Sequence, residues 1–521
     1  MRSGAGVAAK PAACLAVLGT GSEVGKSVVT AALCRIFSDY GVKVSPFKAQ
    51  NMSNNSFVTV GGGEIGRAQA VQAQCARAEP SVDMNPLLLK PTGDNRSQVV
   101  LLGKVAGEAT SSEFRRDRGA TFQTTQESLN RLREQHELVI IEGAGSCAEV
   151  NLRDFDLANF RTALSCSAPV ILVADISKGG VFAQILGTLD LLSTEERAMV
   201  KGVVINRFRG DASLFADGVE FIEKKGGVPV LGVIPFFDHI SVEHEDSVAL
   251  DAVTDPEKIV KSGKINIAVV RLPHISNFTD FQPLELEGAV NLSYISRPRP
   301  LDGVDLLILP GSKNTRKDLE WLGGKGWDMH INNYVAAGGR VVGICGGYQM
   351  LGKSVEDPHG VEGTPGFSFG LGILDVRTIF ADEKKLARVT GRTVAGLHEI
   401  GGYEIHMGVT ATAEGLAPFA TICAEGGTEH HDGAVSRDGG IWGSYIHGLF
   451  EGAQFRAALL ESLNPVIYGQ EQPGSAAVPQ GKSSRDEQYD LLAEFFARHL
   501  DMKKILDLAG MGDRAPALLA K

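Results

Sequence analysis

Several features that would place a chain in a specialised class are scarce or missing in these 521 residues. There are only seven cysteines: Cys14, Cys34, Cys75, Cys147, Cys166, Cys345 and Cys423. They form no CxxC pair and leave an odd number, which speaks for a reducing cytoplasm over a disulfide framework. No apolar run reaches the roughly 18 residues that a membrane helix needs, so no membrane span is expected. Positive charge is not in excess. The net charge of −11 argues against a general nucleic-acid binder or a binder of anionic membranes, and leaves room for a local basic pocket. The 62 glycines and 21 prolines fall well short of a low-complexity composition, and no repeat of fixed period is visible.

What the chain does contain is ordinary for a globular protein: 43% hydrophobic and 22% charged residues, enough for a sizeable core. The length suggests three domains or two large α/β domains. Short β-branched apolar runs recur, each ending in Gly, Asp or Asn before a helical pattern: LVIIEGAG from Leu138, PVILVAD from Pro169, KGVVINR from Lys201 and VPVLGVIP from Val228. Runs of this kind fit strands buried on both faces of a helix-covered parallel sheet. The stretch AACLAVLG, Ala12 to Gly19, is short enough for a signal-peptide core, but it runs into a glycine loop and a helix and reads as a first buried strand.

A polar stretch, Asp251 to Lys264, interrupts the rhythm before a second set begins with INIAVV, VDLLILPG and RVVGICGG. The expected organisation is two doubly wound α/β domains, 1–260 and 261–465, with the boundary near Lys261. A third segment, 466–521, follows. In it Glu471 to Gln488 reads as a loop rich in Pro, Gly and Ser. Leu491, Leu492, Phe495, Phe496 and Leu500 form an amphipathic helix, and the last dozen residues are expected to fray.

The first strand leads into GTGSEVGKS, Gly19 to Ser27, and then a helix. Glycines such as Gly19 and Gly25 let backbone N–H groups curl round phosphate oxygens at a helix N-terminus. Lys26 would reach the β- and γ-phosphates of ATP, and the Ser27 hydroxyl would sit on Mg²⁺. Gly19 stands one position earlier than the common pattern, with Thr20 in its place. This variant resembles the loop of dethiobiotin synthetase and its relatives, which use ATP to activate a carboxylate. Glu142, at the end of an apolar strand, could complete the Mg²⁺ shell. Lys48, in PFKAQNMSNNS, could neutralise a transferring phosphoryl group, although most lysines are surface charges.

In the second domain, RVVGICGGYQMLG delivers Cys345 onto a tight turn between a strand and a helix. That elbow exposes the thiol and sets it at a helix N-terminus, which favours a thiolate. The N–H of Gly346 would point toward an oxyanion. His447, in WGSYIHGLF, is the leading base, whereas His430 and His431 in TEHHDG read as surface residues.

The Cys elbow and downstream His resemble a class I glutamine amidotransferase domain, whose usual members place a Glu two residues after the His. Here that position is Leu449. Lacking that acid is a trait of the cobyric acid and cobyrinic acid a,c-diamide synthases. FKAQNMSNNS, GEIGRAQAVQA, EGAGSCAEVNL, RLPHISNFTDF, LPGSKNT and YIHGLF, in that order, are similar to the cobyric acid synthase family. Ser177, Lys178 and Cys147 are small departures from it.

The resemblance implies a P-loop NTPase-like domain fused to a class I glutaminase-like, flavodoxin-like domain. It implies glutamine, ATP and Mg²⁺, and four amidations, at the b, d, e and g carboxylates of adenosylcobyrinic acid a,c-diamide. Carried over, Cys345 is the nucleophile and His447 the base. Gly346 and the loop at Gly311 and Ser312 form the oxyanion hole. Gly25, Lys26 and Ser27 hold phosphates, and Asn206 reads the adenine. Arg67, Lys90 and Arg96 are the cations expected to meet the corrinoid. A sister amidotransferase such as cobyrinic acid a,c-diamide synthase is the alternative. A membrane-recruited P-loop ATPase is disfavoured by the acidic residues of the final helix.

Overall fold

The computed structural model describes residues 11–93, 96–110, 113, 118–238, 240, 255–470 and 484–519. The apolar runs of the first half line up as six parallel strands. Their order across the sheet is Val230–Pro235, Val200–Phe208, Val170–Asp175, Ala13–Gly19, Leu138–Glu142 and Val44–Phe47. Strands such as Leu138–Glu142 and Val170–Asp175 are buried at every position, as a sheet covered on both faces requires. The chain leaves the central strand Ala13–Gly19 toward one edge and later returns to build the other. A crevice therefore opens beyond the carboxyl ends of Ala13–Gly19 and Leu138–Glu142, where α/β sheets bind ligands. The helix Lys26–Asp39 starts in that crevice.

The second half has its own sheet: Val290–Ile295, Ile265–Val270, Leu306–Leu309, Val341–Ile344 and Ile441–Ser444 are parallel, and Ala434–Val435 closes the edge antiparallel. Against it stands a long antiparallel hairpin, Val376–Thr393 with Glu399–Thr412, whose second strand pairs Tyr403 with His447. Two doubly wound α/β domains are thus present. The chain joins the second earlier than Lys261: the Asp255 carboxylate accepts hydrogen bonds from Ser296 and Arg297, and Ile259 is buried in the second core. A small hairpin of the first domain, Ser56–Val58 with Glu64–Gly66, bridges the two. Phe57, Val58 and Ile65 pack on Tyr403 and Ile405.

The end of the chain corrects two expectations. Ser484 to Gln488 is not loop but the start of a helix, Ser484–His499; the rest of that segment, 471–483, lies outside the described residues. The helix returns to the first domain, burying Tyr489, Leu492 and Phe496 in the core behind the phosphate-loop helix, while Leu491 faces outward. The fully buried Arg35 guanidinium clasps it through Asp490 at 2.6 Å. As far as Leu519 the chain does not fray either: Met511, Ala515 and Leu518 join the same core, their apolar side chains meeting a face that would otherwise be wet. Among the described residues no helix is long and apolar enough to cross a membrane.

Candidate active sites

At the mouth of the first sheet, Gly19 lies where a Cβ would meet Val24 and Lys26 side-chain atoms at 2.8 and 2.9 Å, so the turn closes only on glycine. Gly25 caps the following helix with φ +98°. Lys26 Nζ donates to the carbonyls of Gly21 at 2.9 Å and Gly145 at 2.7 Å, poised over the loop. Glu142, fully buried, gathers donors from four directions. Ser27 Oγ and Lys48 Nζ reach its Oε1 at 2.8 and 3.0 Å, and Gln72 and Gln69 reach Oε2 at 2.5 and 3.5 Å. A buried carboxylate is tolerated because these donors replace water. The structure therefore brings Gly19, Gly25, Lys26, Ser27, Lys48 and Glu142 into one cluster. Gln69 and Gln72 were not singled out from the sequence, where a Gln on a helix carries no signal of its own.

Asn206 sits against the phosphate loop: its amide nitrogen donates to Val24 O at 2.9 Å, and its oxygen accepts from the N–H of the next residue, Arg207. The three corrinoid-directed cations fare differently. Arg67 and Lys90 are buried and committed to Glu451 and Glu64, and the exposed Arg96 pairs with Glu108. Neither Arg67 nor Lys90 presents a free cationic surface.

In the second domain Cys345 sits at φ +51°, ψ −108°, a backbone conformation that L-residues avoid and nucleophile elbows adopt. Its neighbour Gly347 is compelled by packing, since a Cβ there would lie 1.9 Å from Leu309 O. Cys345, Gly346, Ser312 and His447 line one small cavity of about 60 Å³. A Cβ on Gly346 would fall 2.8 Å from Ser312 N, and one on Gly311 would fall 3.2 Å from the His447 ring. The two loops thus meet at the thiol with His447 beside them.

The group that orients His447 is Asp280. Its Oδ2 lies 2.6 Å from His447 Nδ1 and its Oδ1 accepts from Gly448 N–H at 3.0 Å. Burial alone would lower the imidazole pKa, but the Asp280 carboxylate and Cys345 beside it override that and push it up to about 10. Asp280 lies 167 residues before His447 in the chain, so no local spacing betrays it. Of the pair read as surface, His431 is exposed, while His430 is only half-buried and lies 2.9 Å from Lys385 Nζ. The cavity is completed by Lys90 from the first domain and by Lys313, Lys384 and Glu362. Burial and the neighbouring lysines push Lys313 down, and burial pushes Glu362 up.

Comparison with known proteins agrees with both halves. Residues 15–248 match the family described as the CobQ/CobB/MinD/ParA nucleotide binding domain, and residues 266–455 match the CobB/CobQ-like glutamine amidotransferase domain. A cobyric acid synthase of Pelodictyon phaeoclathratiforme is 51% identical over 496 residues, covering 95% of this chain and 97% of its own length. One from Chlorobaculum tepidum is 50% identical over 95% of this chain and 98% of its own. One from Sorangium cellulosum is 44% identical over 96% and 99%.

Proposed function

The chain belongs to the cobyric acid synthase family, and from that premise we propose how its two sites share one reaction. It is a glutamine-dependent carbon–nitrogen ligase with a nucleotide-binding domain. The acceptor is adenosylcobyrinic acid a,c-diamide, and each of its b, d, e and g carboxylates is converted to an amide. The observation that carries this reading is relatedness of about half the residues over nearly the full length of both chains. The sister reading, a cobyrinic acid a,c-diamide synthase, lacks that support.

A carboxylate is a poor electrophile, and ammonia in neutral water is mostly protonated. The first domain removes one obstacle by transferring the γ-phosphoryl group of ATP to the carboxylate, giving ADP and an acyl phosphate. The second supplies the nucleophile. Cys345 gives its thiol proton to His447 as its sulfur adds to the glutamine side-chain carbonyl, and the oxyanion is met by the N–H groups of Gly346 and Ser312. His447, held by Asp280, gives a proton to the leaving nitrogen. Ammonia departs, leaving a glutamyl thioester that water cleaves to glutamate. Ammonia then displaces phosphate from the acyl phosphate.

Lys26 binds the β- and γ-phosphates, and Lys48 neutralises charge on the phosphoryl group as it moves. Ser27 Oγ and Glu142 Oε1 lie 2.8 Å apart. Adjacent oxygens of an octahedral Mg²⁺ shell with bonds of 2.0–2.1 Å are about 2.9 Å apart, so these two fit the ion. Bound there, Mg²⁺ would offset phosphate charge. The odd, CxxC-free set of seven cysteines favours a cytoplasmic setting for this chemistry.

The reading is tested with Cys345→Ala. It should abolish glutamine-dependent amidation and keep ATP-dependent amidation from added ammonia; loss of both would refute the division of labour.

A further inference from the structure

One short segment touches both sites. It runs from Glu64 through the helix Arg67–Cys75. Its first residue, Glu64, is fully buried and pairs with Lys90 at 2.6 Å and with Lys384 at 2.5 Å, two lysines that line the cavity of Cys345. The Gly66 N–H donates to Asn85 Oδ1 at 2.9 Å, and Asn85 Nδ2 donates to the carbonyl of Lys48 at 3.1 Å. Arg67 reaches Glu451 at 3.3 Å, four residues beyond His447. One turn further, Gln69 and Gln72 hold the Glu142 carboxylate of the phosphate site. A second contact reinforces the glutaminase end: the Tyr403 ring stacks on His447 at 5.4 Å, and its hydroxyl donates to Ser56 O in the same hairpin as Glu64.

On the reading of two active sites given above, we propose that the segment Glu64–Gln72 is the link through which nucleotide binding sets the glutaminase. The physical ground is competition for donors. Ser27 and Lys48 both donate to Glu142. A nucleotide phosphate would recruit Lys48, and Mg²⁺ shared by Ser27 Oγ and Glu142 would replace the Ser27 hydrogen bond, so Glu142 loses both donors, keeps Gln69 and Gln72, and shifts with them. From Arg67 to Gln72 the helix spans only about 7.5 Å, too short to absorb the movement by bending. The displacement passes to Arg67 and Glu64, and so to Glu451 and the cavity lysines. The two states differ in contacts at each end, which coupling between sites requires.

Glu451 is the place to cut the link. It is two-fifths exposed and lies outside both reacting constellations, so Glu451→Gln should fold and leave its basal rate of glutamate release unchanged. Glutamate release is measured with and without ATP and Mg²⁺, with no corrinoid present, so that the outcome is independent of the acceptor. The parent protein should be stimulated by a factor in the range of about 5 to 150, and the variant by less than about 2-fold. A binding readout complements the rate: alkylating Cys345 with a glutamine analogue should shift the Kd for ATP in the parent and not in the variant, by a factor that need not equal the kinetic one. Equal stimulation of the two proteins, or none in the parent, would overturn the proposal. No glutamate release by the parent under any condition would instead overturn the glutaminase reading beneath it.

Discussion

Replacing Asp280 by Asn keeps the side chain's shape and removes its charge, and the geometry dictates how the amide must sit. Gly448 N–H points at one oxygen from 3.0 Å, so the amide carbonyl has to stay there and its NH₂ must face His447 Nδ1. Nδ1 then becomes an acceptor and Nε2 carries the hydrogen. In that tautomer His447 cannot take a proton from the thiol. The same substitution in a serine protease triad costs about 10⁴ in kcat, or about 5.5 kcal/mol. A thiol ionises more readily than a hydroxyl, so a loss of about 10²- to 10⁴-fold in glutamate release is expected at saturating glutamine. Amidation supported by ammonia should stay within about twofold, since that route bypasses His447.

The pH dependence has a defined sign. His447 has its pKa raised from 6.5 to about 10 in the folded protein, so the stability it brings is fully present below 6.5 and is lost as pH rises through about 10. Denaturation midpoints of the parent should therefore fall between pH 7 and pH 10 by more than those of Asp280→Asn. A fall in glutaminase of less than about tenfold, with parallel pH profiles of stability, would refute the reasoning.

Lys26→Ala should stop amidation from glutamine and from ammonia alike, with glutamate release retained; surviving ammonia-dependent turnover would remove Lys26 from the phosphate site. In Gly25→Ala the new Cβ would fall 2.1 Å from Asn206 Nδ2 at φ +98°, and ATP affinity measured by titration calorimetry should drop by at least about tenfold. Arg35→Met should cost about 2–3 kcal/mol, less than a fully buried pair because Asp490 and Asp486 keep partial exposure, and should release the final helix to limited proteolysis.

Both reactive centres were legible in the sequence because each is local. A strand, a glycine turn and a helix N-terminus fall within a dozen residues around Lys26 and again around Cys345, and every part of such a constellation is fixed by neighbours in the chain. Asp280 was not legible. Its partner is 167 residues away, and an aspartate in a polar stretch looks like any surface acid until the fold buries it. Arg67 and Lys90 failed for the mirror reason. Their charge was visible, but the carboxylates that consume it, Glu451 and Glu64, come from other elements, and Arg67 looks across the domain interface. The apolar face of the final helix was plain from its spacing. That it lies on the phosphate-loop helix depends on Arg35, a residue whose place in a core no local pattern discloses.

The most direct test of the whole account is a mass-spectrometric time course with adenosylcobyrinic acid a,c-diamide, ATP, Mg²⁺ and glutamine. Each step exchanges a carboxyl OH for NH₂, so the amidations can be counted one by one. Four successive products, each formed with one ADP and one glutamate, are the predicted result. Glutamine hydrolysis with no change in the mass of the corrinoid would contradict it.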